Sequence, residues 1–184
     1  MKKGEAGYIA GQRKKNIILT AGMYLLAVGI YFLGYFTLHT NKSLWTVFAV
    51  LSILPASKNA VRMIMFLRFR PPEQDFYRET GENAGALPVL YDLLFTTYEK
   101  TYAAWALAYA GGNICVFSPG AKEDATKLSK HIEQVVSGLR DEYSVKVYTE
   151  QDAFMKRLSE LREHFENGEA AEPVIFDPIR AVVL

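Results

Sequence analysis

The sequence predicts a mixed α/β protein in which a two-helix membrane hairpin precedes a small cytoplasmic domain. Residues 17–38 contain no charge over 22 positions, and residues 44–67 form a second, mostly apolar stretch. Residues 89–184 instead alternate between short β-branched runs and amphipathic helical patterns, which is typical of an α/β domain. Charge divides at the same place: residues 1–70 hold ten Lys/Arg against one acid, net +9, whereas residues 71–184 hold 11 against 19, net −8.

The chain begins with a basic, glycine-containing leader at residues 1–16, which we expect to be flexible and to set membrane orientation. The first span follows at residues 17–38. At about 1.5 Å per residue, a helix of this length extends roughly 33 Å, enough to cross a hydrocarbon core of about 30 Å. Gly22 and Gly29 are seven residues apart on one face, where they would let the second helix approach closely.

The second span, predicted at residues 44–67, is less uniform because it contains Pro55 followed by polar residues. Lys58 lies near the end of this helix, within reach of the nearer interface, where its side chain would snorkel. The alternative is a short re-entrant or surface-lying helix. This membrane polar element is the candidate for lining a small cavity or contacting a lipid head group: Pro55, Ser57, Lys58 and Asn59.

Basic residues flank both ends of the hairpin, whereas the intervening loop holds only Lys42. The positive-inside rule therefore predicts a multi-pass protein of the cell membrane with both termini in the cytoplasm and the loop outside. A cleaved signal peptide is not expected, since the first apolar run is too long for one.

Residues 71–88 contain two adjacent prolines, several acids and two glycines, and predict an irregular linker to the cytoplasmic domain at residues 89–184. Within the domain, turn signals and hydrophobic periodicity predict the order β-β-β-α-β-α-β in a mixed sheet. The expected strands are 89–98, 102–109, 113–117, 144–148 and 174–176, with helices from 118 to about 142 and from about 150 to 166.

Two places in the domain are candidates for chemistry. Asp92 is a carboxylate among apolar strand residues, which makes it the candidate catalytic residue, but a strand-edge position or a basic partner is the favoured explanation. The turn after the third strand is a candidate anion site, because a helix N-terminus presents amide groups there: Ser118, Gly120 and Lys122. The alternative is ordinary helix capping by Ser118 with Pro119 at the first helical position.

Other features of the sequence argue against several classes of function. An acidic domain argues against nucleic-acid binding, which needs a basic face. The single cysteine, Cys115, cannot build a disulfide framework, and no histidine or cysteine spacing indicates a metal site. Because Asp92 lacks the following Glu-x-Lys of metal-dependent nucleases, a nuclease is not indicated. No pattern indicates a cofactor.

The expected partners are therefore the lipid bilayer and another protein, and a homo-oligomer is compatible with the hairpin. A clear anchor without a catalytic constellation favours a membrane-anchored scaffold or interaction module rather than an enzyme. One alternative is a membrane-tethered enzyme acting on a small anionic or lipid-linked substrate, favoured if Asp92 and the 118–122 turn converge on one pocket. The other is an accessory subunit of a transporter or channel.

Overall fold

The computed structural model describes residues 3–38, 44–98, 100–138, 143–166 and 175–183. The chain divides into two compact units. One contains residues 9–70 and is helical. The other contains residues 71–184 together with residues 1–8, and it forms a mixed α/β domain built on a four-stranded sheet.

The helical unit consists of α1 (Tyr8–Leu38) and α2 (Leu44–Arg68), and Pro55 lies within α2. The two helices approach closely at Gly34, where a Cβ atom would overlap the Cβ of Trp45. Gly22 and Gly29, which the sequence predicted to allow this approach, have no atom within 4 Å of the position a Cβ would take. That prediction was wrong: glycine spacing alone does not reveal which helix face is the packed one.

Small or short side chains recur every seven residues on the packed faces of both helices. Gly34, Ala27 and Thr20 are buried on α1, and Ala49 and Ala56 are buried on α2. A seven-residue repeat keeps one face of a helix against its neighbour, and small residues there permit close backbone contact.

The remaining surface of this unit is strongly apolar. Of the 24 exposed large hydrophobic side chains among the described residues, 22 lie between Ile17 and Leu67. Both helices are long and apolar enough to cross a membrane, and only 17% and 11% of their most apolar windows are buried.

The α/β domain begins with α3 (Gln74–Ala84). Its sheet has the order β1-β2-β3-β4, in which β1, β2 and β3 are antiparallel neighbours and β4 is parallel to β3. The strands are β1 (Val89–Thr96), β2 (Thr101–Ala110), β3 (Asn113–Phe117) and β4 (Ser144–Tyr148). Gly111 and Gly112, both with positive φ, form the β2–β3 turn that the sequence predicted.

Helices cover both faces of this sheet and create two cores. On one face, α4 (Lys122–Val136) and α6 (Phe176–Val182) bury Leu128, Ile132 and Ile179. On the other, α3 and α5 (Gln151–Glu166) pack through Phe76, Phe154 and, among others, Leu158. Coverage of both faces explains why the central strands are nearly continuous apolar runs.

The mixed α/β class with its mixed sheet is confirmed, but the order of elements differs in detail from the prediction. The predicted linker at 71–88 contains α3, and the predicted fifth strand at 174–176 is contradicted because Phe176 begins α6. Val174 lies outside the described residues. Pro178 falls in the first turn of α6, where a missing N–H leaves no helical bond unmade.

Candidate functional site

Asp92 lies in β1, with only 1% of its surface exposed. Its Oδ1 accepts a hydrogen bond from the Tyr77 hydroxyl of α3 at 2.6 Å. Among the described residues it is the only one other than glycine with positive φ, at +53°. The left-handed region is costly for most L-residues, and aspartate and asparagine tolerate it better than the rest.

This conformation reverses the alternation of side chains along β1. Tyr91 packs with the core under α3 and α5, whereas Leu93 and Phe95 both belong to the core under α4 and α6. A regular strand would place residues 91, 93 and 95 on one face. The pairing register with β2 is the same before and after Asp92, and the opposite position is Trp105. At Asp92, therefore, the odd-numbered side chains of β1 change from one core to the other.

Tyr77 stays a hydrogen-bond donor at ordinary pH. Burial raises the pKa of its hydroxyl, and the hydrogen bond to Asp92 and the charge of that carboxylate raise this pKa further, against a smaller opposing effect of a hydrogen bond with the Gly7 backbone. The pair joins α3 to β1. This geometry supports a role for Asp92 in holding the backbone, and the Tyr77 hydroxyl is one of its partners.

The outer edge of β1 is covered at both ends. The Tyr91 N–H donates to the Gly4 carbonyl at 2.9 Å, and Phe95 forms an antiparallel bridge with Val183. Lys3 Nζ also donates to the Val183 carbonyl at 2.7 Å. Residues 3–8 of the predicted flexible leader therefore belong to the α/β domain, because β1 offers them an unpaired strand edge.

The opposite edge of the sheet, formed by β4, borders a cavity of about 410 Å³. The cavity lies between β4, the first two turns of α4 and the first turn of α5. Lys122, Ser129 and Lys146 contribute polar groups to its lining, and Val145 and Val147 contribute the strand backbone.

The predicted anion site is divided by this arrangement. Lys122 lines the cavity, but the Ser118 hydroxyl donates to the Ala103 carbonyl at 2.7 Å and does not cap α4. Ala121 is the N-cap residue of α4, so capping by Ser118 was a wrong prediction. Gly120 and its neighbours form the segment that connects the end of β3 to the beginning of α4. Gly120 is exposed and is absent from the cavity wall.

Asp92 and the cavity do not converge. They lie at opposite edges of a four-stranded sheet, separated by three strand spacings or roughly 14 Å. Asp92 and the cavity therefore do not share one pocket, which is the arrangement that would have favoured an enzyme.

Cys115 is buried in β3, with 2% of its surface exposed. Burial raises the pKa of its thiol, and the positive charges of Arg157 and Lys146 oppose that effect. A protonated, buried thiol is a poor nucleophile, so this cysteine behaves as a small apolar residue.

Two side chains of the membrane polar element of α2 make polar contacts within the helical unit. The Ser57 hydroxyl donates to the Ile53 carbonyl at 2.9 Å, and Asn59 Nδ2 lies 2.9 Å from the Met23 sulfur of α1. Lys58 is exposed, and Pro55 removes one N–H from the helix. The asparagine contact joins the two helices of the hairpin.

Comparison of the chain with protein-family models, with curated proteins and with solved structures finds no match. Within the described ranges, no group of three or more His, Cys, Asp or Glu side chains is arranged to hold a metal ion.

The edge position of β4 was not predicted from the sequence. A signal was present, since a lysine inside a short strand is one way in which proteins mark an exposed sheet edge.

Proposed function

We propose that this protein is a membrane-anchored interaction module, in which α1 and α2 cross the bilayer and hold the acidic α/β domain at the cytoplasmic surface. The observation that carries the proposal is the exposure of large apolar side chains, 22 of which lie on these two helices. The core helix of a water-soluble protein would bury such residues.

The apolar surface of these two helices is too large to leave in water. Burying a large aliphatic or aromatic side chain is worth roughly 1.5–3 kcal/mol relative to full exposure. Even at half exposure, 22 such residues represent on the order of tens of kcal/mol, against a net stability of about 5–15 kcal/mol for a typical domain. A bilayer offers this surface the apolar environment it requires.

Orientation is supported by charge. Lys2, Lys3, Arg13, Lys14 and Lys15 precede the apolar part of α1. At the exit of α2 the basic residues are Lys58, Arg62, Arg68 and Arg70. Because both clusters favour the cytoplasm, the segment 39–43 would face outward and the α/β domain inward.

An interaction role is supported by the two buried cores of the domain and by β4, a sheet edge that no other described strand covers. The two candidate chemical positions lie apart, and Asp92 is engaged with Tyr77.

Thiol labelling in intact cells tests the topology. In a Cys115→Ala background, Asn41→Cys should react with a membrane-impermeant maleimide from outside. Lys130→Cys, on an exposed face of α4, should react only after the membrane is permeabilised. Labelling of Lys130→Cys in intact cells would overturn the proposed orientation, and Cys115→Ala alone provides the background signal.

A further inference from the structure

The two edges of the sheet differ in how their outer backbone is covered. Gly4 and Val183 pair with β1, as described above. On β4, within the part of the chain that the structure describes, the outer backbone receives one hydrogen bond, from the Ser129 hydroxyl to the Val145 carbonyl at 3.1 Å. Among the described residues, therefore, no strand covers the outer edge of β4.

The pairing with β3 determines which groups of β4 point outward. The Ser144 N–H donates to Gly112, and the Tyr148 carbonyl accepts from Ser118, both at 3.0 Å. Because successive residues of a strand turn their backbone groups in opposite directions, Val145 and Val147 face away from β3. The N–H of Val145 and both backbone groups of Val147 are thus available to an added strand.

The groove beside this edge carries two positive charges. Lys122 and Lys146 line it, and across the described ranges neither has an ion-pair partner. Lys146 Nζ lies 5.3 Å from the centroid of the Tyr148 ring, which holds the ammonium group beside the strand. Glu150, at the end of the groove, adds one negative charge. A carboxylate would be attracted near the lysines and repelled near Glu150.

We propose that β4 binds an extended acidic segment of a partner protein, which adds to the sheet as a fifth strand and places carboxylates along the groove lined by Lys146 and Lys122. Main-chain hydrogen bonds to Val145 and Val147 supply affinity, and the lysines supply selectivity, as in other cases of strand addition. The inference rests on the proposed interaction function and names its surface and the partner's chemistry.

A second copy of this chain fits the edge less well. In the antiparallel register that aligns two β4 strands fully, the two Lys146 side chains lie directly opposite each other. Like charges in directly opposed positions destabilise a strand pair. Lys146 therefore disfavours self-pairing and favours an acidic partner.

Peptide binding to the full chain in phosphatidylcholine nanodiscs tests the inference, since neutral lipid does not compete for lysines. The probe is a fluorescein-labelled peptide of alternating glutamate and valine, followed by fluorescence polarisation. Lys146→Glu should weaken binding by about tenfold or more, because it turns an attraction into a repulsion. Val147→Pro should weaken it similarly, since it removes an outward N–H that the sheet does not use.

The matched control is Lys130→Glu, the same charge change on the exposed face of α4 outside the groove. This variant should bind the acidic peptide with an affinity within about twofold of the parent's, because salt screens the effect of a charge far from the groove. A peptide with lysine in place of glutamate should not bind. Circular dichroism verifies that each variant is folded.

The inference would be overturned by no binding at millimolar peptide, or by equal binding of the parent and Val147→Pro. A dimer in light scattering that Val147→Pro dissociates would also overturn it, because the occupant of the edge would then be a second copy of this chain. Fractionation of the same variants separates this failure from failure of the proposed function. Absent peptide binding with intact membrane association counts against the groove alone, whereas loss of membrane association counts against the anchor.

Discussion

Asp92 shows how one residue can shape a sheet. Its φ of +53° moves Leu93 into the core opposite the one that Tyr91 enters, and its carboxylate accepts the Tyr77 hydrogen bond. The sequence marked this aspartate as unusual, a candidate for catalysis, for a strand-edge position or for a basic partner, and β1 is an edge strand of the sheet. The backbone conformation that gives it a structural role has no signature in the sequence.

Replacing Asp92 with valine should destabilise the domain by about 2–3 kcal/mol, because a β-branched residue resists the left-handed region and the hydrogen bond is lost. Asp92→Asn should cost less than about 1 kcal/mol, since asparagine tolerates this region and keeps an acceptor. Urea unfolding, followed by Trp105 fluorescence in a Trp45→Phe background, measures both. Equal stability of the valine variant and the parent would contradict the role assigned to Asp92.

Alkaline pH should act on the same pair. The pKa of Tyr77 is raised in the folded state above its ordinary value of 10.0, so folding favours the protonated phenol. This contribution to stability is complete below about pH 10 and is lost as pH rises above it. Unfolding free energy measured from pH 9 to 11 should therefore fall more steeply in the parent than in Tyr77→Phe. Tyr91, whose pKa burial also raises, remains in both proteins and serves as an internal control.

The Cys115 thiol should react slowly while the domain is folded. It is 2% exposed, and burial raises its pKa, so the thiolate is scarce near neutral pH. Reaction with a disulfide reagent at pH 8 should be on the order of a hundredfold or more slower in the folded chain than in urea, because access requires opening. Reaction at the unfolded rate without denaturant would show that β3 is exposed.

Packing of α1 against α2 depends on Gly34. Because a Cβ there would overlap Trp45, Gly34→Ala should separate the helices and destabilise the hairpin by about 1–3 kcal/mol. Gly29→Ala is the matched control: nothing lies within 4 Å of its added atom, and alanine favours a helix. Resistance to unfolding in sodium dodecyl sulfate, followed by Trp45 fluorescence, compares the two variants, and equal loss in both would contradict this packing.

Elements with strong periodicity were predictable, and short or polar ones were not. β3, β4 and α5 are found close to their predicted positions, since each has several apolar residues at a strand or helix spacing. α3 was missed because Phe76 is the only large apolar residue on its buried stripe, which continues through Thr80 and Ala84.

α6 was missed for a related reason. The run Val174-Ile175-Phe176 is too short for its periodicity to distinguish a strand from a helix.

The groove beside β4 could not be predicted from any local sequence pattern. β4 becomes an edge only through the order of strands in the sheet, and α4 and α5 complete the groove only through their packing on it.

At the scale of the whole molecule, charge and apolar surface are divided between the two units. The net charge of residues 9–70 is positive, and that of residues 71–184 together with residues 1–8 is negative. An acidic domain is repelled by anionic lipid, whereas the basic flanks of the hairpin are attracted to it. This division supports a domain that is tethered to the membrane yet free to meet protein partners through β4.

Membrane extraction of the full-length chain tests this account most directly. After cell lysis the protein should sediment with membranes, stay there through high salt and alkaline carbonate, and enter solution only with detergent, because its exposed apolar side chains on α1 and α2 require lipid or detergent. A full-length chain that is monodisperse in buffer without detergent would contradict the account.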